Sequence, residues 1–338
     1  MKNTNYIELL NAWNLGFAGV DESAAIDGSP ERCAARFVVR DSDDRRRLLE
    51  KIAPDNVIRK QEIAEQLEML AGLEQIHPYC RTSDGSFFSN GWMLRPYVEG
   101  LPLQRPGYLD DLRRIDAMAD FLIQLRQNTS THSGLRPVPP KAAGPSLQGR
   151  SRRNIPSAGG VREAGGGFFS ICDYAQQRMA VWRQRYSMLA GKMERSFQTL
   201  EKTFFPLHDQ LPVAFCHGDY HPLNMIWGTD CIRSVIDWEF CGIKPELYDA
   251  ALLVGCIGFE DPDNLIKEPV IRLVQRLREA GYGAPESWAH FLQLTAAIRF
   301  GWMSEWIRRS DREARRMEAV YIDILVDQKD YILQAINL

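Results

Sequence analysis

The chain is most constrained by residues 211–240, where short apolar segments each end in polar side chains. The stretch reads LPVAFCHGDYHPLNMIWGTDCIRSVIDWEF. Its apolar segments at 213–216, 224–227 and 232–236 predict three short strands, and the Gly-Thr-Asp-Cys segment between the last two predicts a hairpin turn. Because polar residues follow each strand, the stretch predicts a site built around a hairpin.

The polar residues of this stretch have a spacing that indicates phosphoryl transfer. His217 and Asp219 are followed by Asn224, and Asp237 comes after one hairpin, which is the spacing of a kinase catalytic loop and its metal-binding Asp. Phosphoryl transfer needs a carboxylate that aligns the acceptor and oxygen ligands for Mg²⁺. The hairpin is expected to hold Asn224 and Asp237 side by side, with Asp219 facing them from the preceding loop.

The motifs HGDYHPLN and VIDWEF resemble those of a known family, the aminoglycoside phosphotransferase and choline kinase-like small-molecule kinases. The resemblance extends over residues 24–309 in layout and is specific over residues 215–249. It implies an α+β, protein kinase-like bilobal fold, with ATP and Mg²⁺ as cofactors. It also implies transfer of the γ-phosphoryl group to a hydroxyl of an amino alcohol, aminoglycoside, sugar or homoserine-like acceptor.

The same resemblance assigns roles within the motifs. It makes Asp219 the catalytic carboxylate and Asn224 and Asp237 the magnesium ligands, and it gives His217 the role of bracing the loop. An Asp at the place of Asp249 supports the catalytic loop in this family, and capping of a helix N-terminus is the alternative for it.

Three departures from protein kinases argue against a protein substrate. Gly218 stands where those enzymes have an Arg, Trp238-Glu239 replaces Phe-Gly after the metal Asp, and no APE segment follows. The expected acceptor is therefore a small molecule.

Composition changes along the chain predict two lobes. AAIDGSP, ARFVVRDSDD and RRLLEKIAP predict three strands between residues 24 and 54, VIRKQEIAEQLEMLAGL predicts a helix capped by Asp55, and residues 85–100 predict a hairpin. We therefore expect a small antiparallel-sheet lobe at 1–100 that binds nucleotide, and a mostly helical catalytic and acceptor-binding lobe at 101–338. A Gly- and Pro-rich insertion at 134–167 is expected to be flexible, with a phosphate-gripping lid as the alternative.

The small lobe offers candidate nucleotide-binding residues. Lys51, in its predicted strand, can reach phosphates and needs an acidic partner on the next helix. We favour Glu62, and Glu65 also qualifies by position. No GxGxxG occurs, and only Gly28 and Ser29 occupy the place of a phosphate loop, where an ordinary hairpin turn is the alternative.

The connection between the lobes supplies the remaining nucleotide contacts. Arg95, Tyr97 and Val98 lie where kinase-like folds let the backbone recognise adenine. Pro96 has no N–H, which limits the residues that can donate there. An ordinary interdomain connection is the alternative.

The acceptor site is the least determined part. Trp302 and Trp306 lie one turn apart on one predicted helix face and could cage an amine by cation–π attraction, although such spacing is also typical of core packing. Glu239 belongs to an acidic fringe near the metal strand that could attract a cationic acceptor.

Charge and hydropathy limit the partners. Lys+Arg of 41 against Asp+Glu of 44 gives a net charge of -3, so nucleic acid is not an expected partner. The chain shows no signal-peptide pattern and no apolar run of membrane-spanning length, which predicts a cytoplasmic protein without a membrane partner. Oligomeric state is not indicated by the sequence.

Two other functions stay open at this point. His217, Asp219, His221 and Asp237 could ligate a transition metal in a hydrolase. Alternatively, the poor phosphate loop would suit a nucleotide-binding protein that has lost turnover.

Overall fold

The computed structural model describes residues 3–26, 33–130 and 169–338. The predicted phosphate-loop residues Gly28 and Ser29 and the 134–167 insertion lie outside the described residues.

The N-terminal part is built on one antiparallel sheet of four strands in sequential order. The strands are β1 (Phe17–Val20), β2 (Ala35–Asp41), β3 (Arg46–Lys51) and β4 (Trp92–Pro96). Helix α1 (Asn3–Asn11) shares an apolar cluster with one face of the sheet, through Tyr6, Leu9, Leu10, Leu49 and Leu94. Helix α2 (Val57–Met69) shares a second apolar cluster with Ile52 and Met93. The sheet therefore lies between two helices.

Three described strands precede helix α2, as predicted, but some of the predicted strands lie at other positions. The first described strand lies at Phe17–Val20, where Phe17 stacks on Tyr6 of α1 with ring centroids 5.5 Å apart. Of the strand predicted at 24–30, residues 24–26 are not in a strand and the others lie outside the described residues. The hairpin predicted at 85–100 has one regular strand, β4, and Ser89 forms only an isolated bridge with Trp92.

Helix α2 follows a single 3-10 turn, Pro54–Asn56, and Asp55 does not cap it with its side chain. Its buried positions include Ile63 and Leu67, which join the same core as the C-terminal helices. Ile58, predicted on the apolar face, is 74% exposed. Arg59 and Lys60 take the buried positions at the start of the helix.

The C-terminal part is mostly helical, as predicted. Two short two-stranded sheets pair β5 (Val213–Cys216) with β8 (Gly242–Pro245) and β6 (Met225–Trp227) with β7 (Ile232–Val235). The predicted segment 171–204 breaks at Tyr186 into two helices. The helices are α3 (Leu112–Ser130), α4 (Ile171–Arg185), α5 (Ser187–Thr203), α6 (Phe205–His208), α7 (Tyr248–Glu260), α8 (Glu268–Glu279), α9 (Pro285–Ala289), α10 (Phe291–Arg308), α11 (Arg312–Asp327) and α12 (Lys329–Ala335).

The mixed α/β architecture, with a small N-terminal antiparallel sheet and a helical C-terminal part, confirms the predicted fold class. The division at residue 100 stays a prediction, and Leu101 forms a bridge with Trp227 of β6 just beyond it. Among the helices of the described ranges, none is long and apolar enough to span a membrane.

Candidate active site

The loop between β5 and β6 brings two of the predicted residues into contact. Asn224 Nδ2 donates to the Asp219 carboxylate at 3.0 Å and to the Asp219 backbone carbonyl at 2.9 Å. Because the amide nitrogen of Asn224 is used in this way, its amide oxygen is the atom left to coordinate a cation.

The hairpin carries Asp237 to the same edge. Pairing of β6 with β7 extends beyond the strands, since the Ile236 N–H donates to the Asn224 carbonyl at 2.9 Å. Asp237 follows directly, with a left-handed backbone (φ 62°). Such a conformation is uncommon for a residue with a side chain and is retained where the surroundings fix it. Here Trp238 fixes the backbone next to Asp237, because its indole N–H donates to the Val235 carbonyl at 2.9 Å.

His217 is buried behind the loop, and both of its ring nitrogens are engaged. The Ile236 carbonyl, 2.9 Å from Nε2, can only accept, so Nε2 carries the proton and Nδ1 accepts from the Asp219 N–H at 3.2 Å. Burial lowers the pKa of His217, which keeps the ring neutral. His217 therefore braces the loop, and it has no nitrogen left for a metal ion, which contradicts the hydrolase alternative.

Within the described ranges, no three or more His, Cys, Asp or Glu side chains are grouped so that they could hold a metal ion. Asn224 and Asp237 are a different kind of ligand set, because they are two residues and one of them offers an amide oxygen.

Asp249, at the start of α7, holds the loop from the other side. Its carboxylate accepts from the backbone N–H groups of His217 at 2.6 Å and Gly218 at 2.8 Å. The side chain is buried, and burial raises its pKa against the effect of these hydrogen bonds. Of the two sequence alternatives, the contacts support the loop-holding role.

Gly218 is the one residue of the loop whose backbone and surroundings both require glycine. Its φ is +83°, and an added Cβ would lie 2.1 Å from the Phe240 carbonyl oxygen and 2.6 Å from Lys244 Cε. The loop thus packs directly on the segment after Asp237, which leaves no room for the Arg that protein kinases have at this position of the motif.

We expect Gly218→Ala to destabilise the protein by about 1–3 kcal/mol, since the new methyl group overpacks against backbone and the left-handed φ penalises a Cβ. Chemical denaturation measures the change. The control is Gly191→Ala in α5, where an added Cβ meets nothing within 4 Å and helix propensity predicts a gain of roughly 0.5–1 kcal/mol. Equal effects of the two substitutions would contradict the packing argument.

A cleft between β3, β4 and the β6–β7 hairpin matches the predicted nucleotide position. It is lined by Ile26, Leu48, His77, Arg95, Pro96, Tyr97, Val98, Ile226, Ser234 and Ile236. All three predicted hinge residues, Arg95, Tyr97 and Val98, therefore lie at one cleft with the hairpin that carries Asp237.

The backbone of β4 shows which hinge groups face outward. The Tyr97 N–H donates to the Arg46 carbonyl of β3 at 3.1 Å, whereas the Leu94 carbonyl accepts from the Cys80 N–H on the other side. Because backbone groups alternate along a strand, the Pro96 carbonyl and the Val98 N–H point away from β3. The missing N–H of Pro96 is thus no obstacle to a base that pairs with these two groups.

The predicted pair of Lys51 and Glu62 is wrong as a contact. Lys51 is exposed, with Nζ 5.5 Å from the ring centre of Trp92, which belongs to the cluster under α1. Glu62 Oε2 is buried and, within the described residues, has no hydrogen-bond partner. Glu65, the other candidate, is exposed and accepts from Gln61. Strand alternation places Lys51 on the face of β3 that Leu49 occupies, away from α2.

Glu50, the neighbour of Lys51, faces the interior instead. It is 3% exposed, accepts from the Tyr79 hydroxyl at 2.9 Å and pairs with Arg95 Nε at 3.2 Å, and the Cys33 thiol donates to it. Burial raises the pKa of Glu50, but Arg95 and Lys60 outweigh burial and lower it. Sequence reasoning missed this carboxylate.

Glu239, predicted on the acceptor side, lies against α2. Arg59 Nε is 3.2 Å from its Oε2, and Lys60 Nζ contacts its Oε1. Two cations of α2 therefore hold the segment directly after Asp237. This correction removes Glu239 from the acceptor-binding candidates.

The tryptophan pair is only partly available to an acceptor. Trp302 and Trp306 lie side by side, with ring centroids 5.6 Å apart, as predicted. Trp306 stacks on Phe259 and donates to Glu318, and the Arg299 guanidinium already lies 5.4 Å from the centre of Trp302. A ready-made amine cage is therefore not formed by these two rings.

His221 links Trp302 to the catalytic loop, a connection that sequence reasoning missed. The two rings meet edge to face at 5.5 Å, and His221 Nε2 lies 3.7 Å from Asp219 Oδ1. The half-buried indole of Trp302 is thus separated from Asp219 by one side chain, that of His221.

One family model matches most of the chain. The model of the phosphotransferase enzyme family (APH) matches residues 32–289, which is well over half of the chain. No curated protein matches the sequence significantly.

Solved structures share the fold at low sequence identity. The GDP complex of aminoglycoside 2'-phosphotransferase-IIIa is 13% identical with a TM-score of 0.58, and the alignment covers 97% of this chain and 100% of that one. For choline kinase from Streptococcus pneumoniae the values are 12% and 0.56, with 95% and 98% covered. An amicoumacin kinase in complex with AMP-PNP, Ca²⁺ and amicoumacin is 9% identical with a TM-score of 0.55, covering 97% and 94%.

Proposed function

Since the chain belongs to the phosphotransferase enzyme family, we propose that it transfers the γ-phosphoryl group of ATP to a hydroxyl group of a small molecule. Membership of this family makes the chain a small-molecule kinase. The proposal adds the donor, the type of acceptor group and the residues that perform the transfer. It is carried by one observation, the contact of Asn224 with Asp219 at the end of the hairpin that bears Asp237.

Asp219 is the proposed catalytic residue. Its side chain is 20% exposed, which leaves it accessible to an acceptor, while the Asn224 amide and the His217 ring fix the loop around it. In this role Asp219 aligns the acceptor hydroxyl and accepts its proton as the new O–P bond forms and ADP leaves. Positioning of this kind supplies most of the rate enhancement in phosphoryl transfer.

Asn224 and Asp237 are the proposed magnesium ligands. The donor set fits the ion, because both groups offer oxygen and the Asn224 nitrogen is already bonded to Asp219. Bound Mg²⁺ neutralises charge on the phosphate oxygens. The Ile236–Asn224 hydrogen bond and the fixed backbone of Asp237 hold the backbones of the two residues at one edge.

The purine base is proposed to occupy the cleft at the hinge. Leu48, Ile226 and Ile236 provide apolar walls for a flat ring. The Pro96 carbonyl and the Val98 N–H offer an acceptor and a donor two residues apart, which suits the amino group and ring nitrogen of adenine.

The acceptor is proposed to approach Asp219 past His221 and Trp302. Amino alcohols, aminoglycosides, sugars and homoserine-like compounds remain the candidate classes. Related structures carry the names of aminoglycoside, choline and amicoumacin kinases, which supports a polar, hydroxyl-bearing acceptor without selecting one.

An ADP-release screen over these four acceptor classes tests the proposal. We expect ADP release that requires both Mg²⁺ and one class of acceptor, and that is lost in Asp219→Asn prepared in parallel. The paired variant excludes a contaminating kinase, because its preparation is otherwise identical. Product mass should increase by one phosphoryl group.

A different outcome would favour the remaining alternative. If the wild-type protein binds ATP but releases no ADP with any acceptor of the panel, the chain is a nucleotide-binding protein without turnover. ADP release that persists unchanged in Asp219→Asn would reject the catalytic assignment.

A further inference from the structure

The predicted phosphate-binding lysine lies on the face of β3 that is turned away from the cleft. On the cleft face, Arg46 at the start of β3 is paired with Glu99. Enzymes of this reaction type hold the phosphates with backbone N–H groups, metal ions and a lysine. At the cleft face, β3 instead offers a carboxylate, because Glu50 shares a face with Leu48, which lines the base pocket.

A buried ammonium group lies on the neighbouring helix α2 and interacts electrostatically with Glu50. Lys60 of α2 is 7% exposed, and its Nζ contacts Glu239 Oε1. Burial lowers the pKa of Lys60, but Tyr79, Glu239 and Glu50 outweigh burial and raise it. Lys60 is therefore charged at neutral pH.

The position of Lys60 follows from its two carboxylate neighbours. Glu50 lies two residues beyond Leu48 on the same strand face, about 7 Å along the strand. Glu239 lies two residues beyond Asp237, the proposed metal ligand. Lys60 is thus held between the wall of the base pocket and the metal-binding segment. A nucleotide whose base fills the pocket must run its phosphates through that interval to reach Asp237.

The two carboxylates beside Lys60, Glu239 and Glu50, each have a second cation as a partner. Glu239 already has Arg59 Nε at 3.2 Å on its other oxygen, so one carboxylate faces two cations of α2. Glu50 likewise pairs with Arg95 at 3.2 Å. Each carboxylate beside Lys60 thus has an arginine partner as well, so Lys60 is not the only cation that balances them.

We propose that Lys60 of α2, rather than Lys51 of β3, supplies the ammonium group that contacts the nucleotide phosphates, with Glu239 and Glu50 as positioning residues. This inference rests on the function proposed above. It reverses the arrangement of this reaction type, in which the strand carries the lysine and the helix the carboxylate. In this chain the strand carries Glu50 and the helix carries Lys60.

Titrations with ATP, ADP and adenosine in the presence of Mg²⁺ test the proposal by binding rather than by turnover. In Lys60→Met the affinity for ATP and ADP should fall by about 10- to 100-fold, because a charge-assisted hydrogen bond is lost. The affinity for adenosine should change less than about 2-fold, since the base pocket is untouched. Lys51→Met is the matched control and should bind all three ligands like the wild type.

A second variant separates phosphate binding from folding. Lys60→Met leaves Glu239 with one cation fewer, so Lys60→Met combined with Glu239→Gln removes the carboxylate as well. We expect the double variant to fold and still to discriminate poorly between ATP and adenosine. An unchanged ratio of ATP to adenosine affinity in either variant, or a loss of ATP affinity in Lys51→Met, would overturn the role of Lys60. Failure of the wild-type protein to bind any nucleotide would overturn the proposed function itself.

Discussion

Asp219→Asn is expected to lower kcat by at least about 10²–10³-fold, because one preorganised group that acts on the reacting hydroxyl is removed. The asparagine keeps the size of the side chain and can still accept from Asn224 Nδ2, so the loop should retain its structure. KM for ATP should change little, since Asp219 acts on the acceptor. Steady-state kinetics with the acceptor found in the screen measure both quantities, and Asp219→Ala should be at least as impaired.

The matched control is Asp263→Asn, at an exposed position in the 3-10 turn Pro262–Ile266. It removes the same charge away from the loop and should retain wild-type kcat. If Asp219→Asn keeps more than about a tenth of wild-type kcat, the carboxylate is not the group that accepts the proton, because that contribution is of order 10²–10⁴.

The hairpin of the candidate site could be predicted from sequence because its structure is local. β5, β6 and β7 lie at or within one residue of the predicted segments, since apolar runs bounded by turn residues define short strands without distant information. The contact of Asn224 with Asp219 spans five residues. Residues so close in sequence start near one another, and the His217 ring and the Asp249 carboxylate then fix the loop between them.

The nucleotide-side residues could not be predicted in the same way. Glu50 and Lys51 are adjacent, and a shift of one residue exchanges the two faces of a strand. The face is decided by partners distant in sequence, with Tyr79 and Arg95 around Glu50 and Trp92 beneath Lys51. A requirement for a lysine on the strand and a carboxylate on the helix therefore predicted a contact between Lys51 and Glu62 that the structure does not contain.

The acceptor side shows a similar limit of helical periodicity. One-turn spacing correctly predicted that Trp302 and Trp306 are neighbours on α10. It could not predict that Arg299 and Glu318 form a buried ion pair beside them, with two contacts of 2.6 Å. Spacing along one helix gives the face of each ring, whereas the contents of the space in front of it come from other helices.

Asp237→Asn is expected to abolish the Mg²⁺ dependence of ATP binding and to lower kcat by at least about 10²–10³-fold. A neutral amide is a weaker ligand for a hard cation than a carboxylate. Asparagine also accepts the left-handed backbone at this position, so a loss of function cannot be attributed to strain. Titration of ATP at several Mg²⁺ concentrations measures the first effect, and steady-state kinetics measure the second.

Asp44→Asn is a suitable control, because Asp44 has a nearly identical backbone (φ 57°) in the exposed turn between β2 and β3. It should bind ATP with the same Mg²⁺ dependence as the wild type. If Asp237→Asn also retains that dependence, then Asn224 and Asp237 do not share a divalent ion, whatever their position on the hairpin. Asn224→Ala distinguishes the two ligands, since it should weaken Mg²⁺-dependent binding and also free the Asp219 carboxylate from its hydrogen bond.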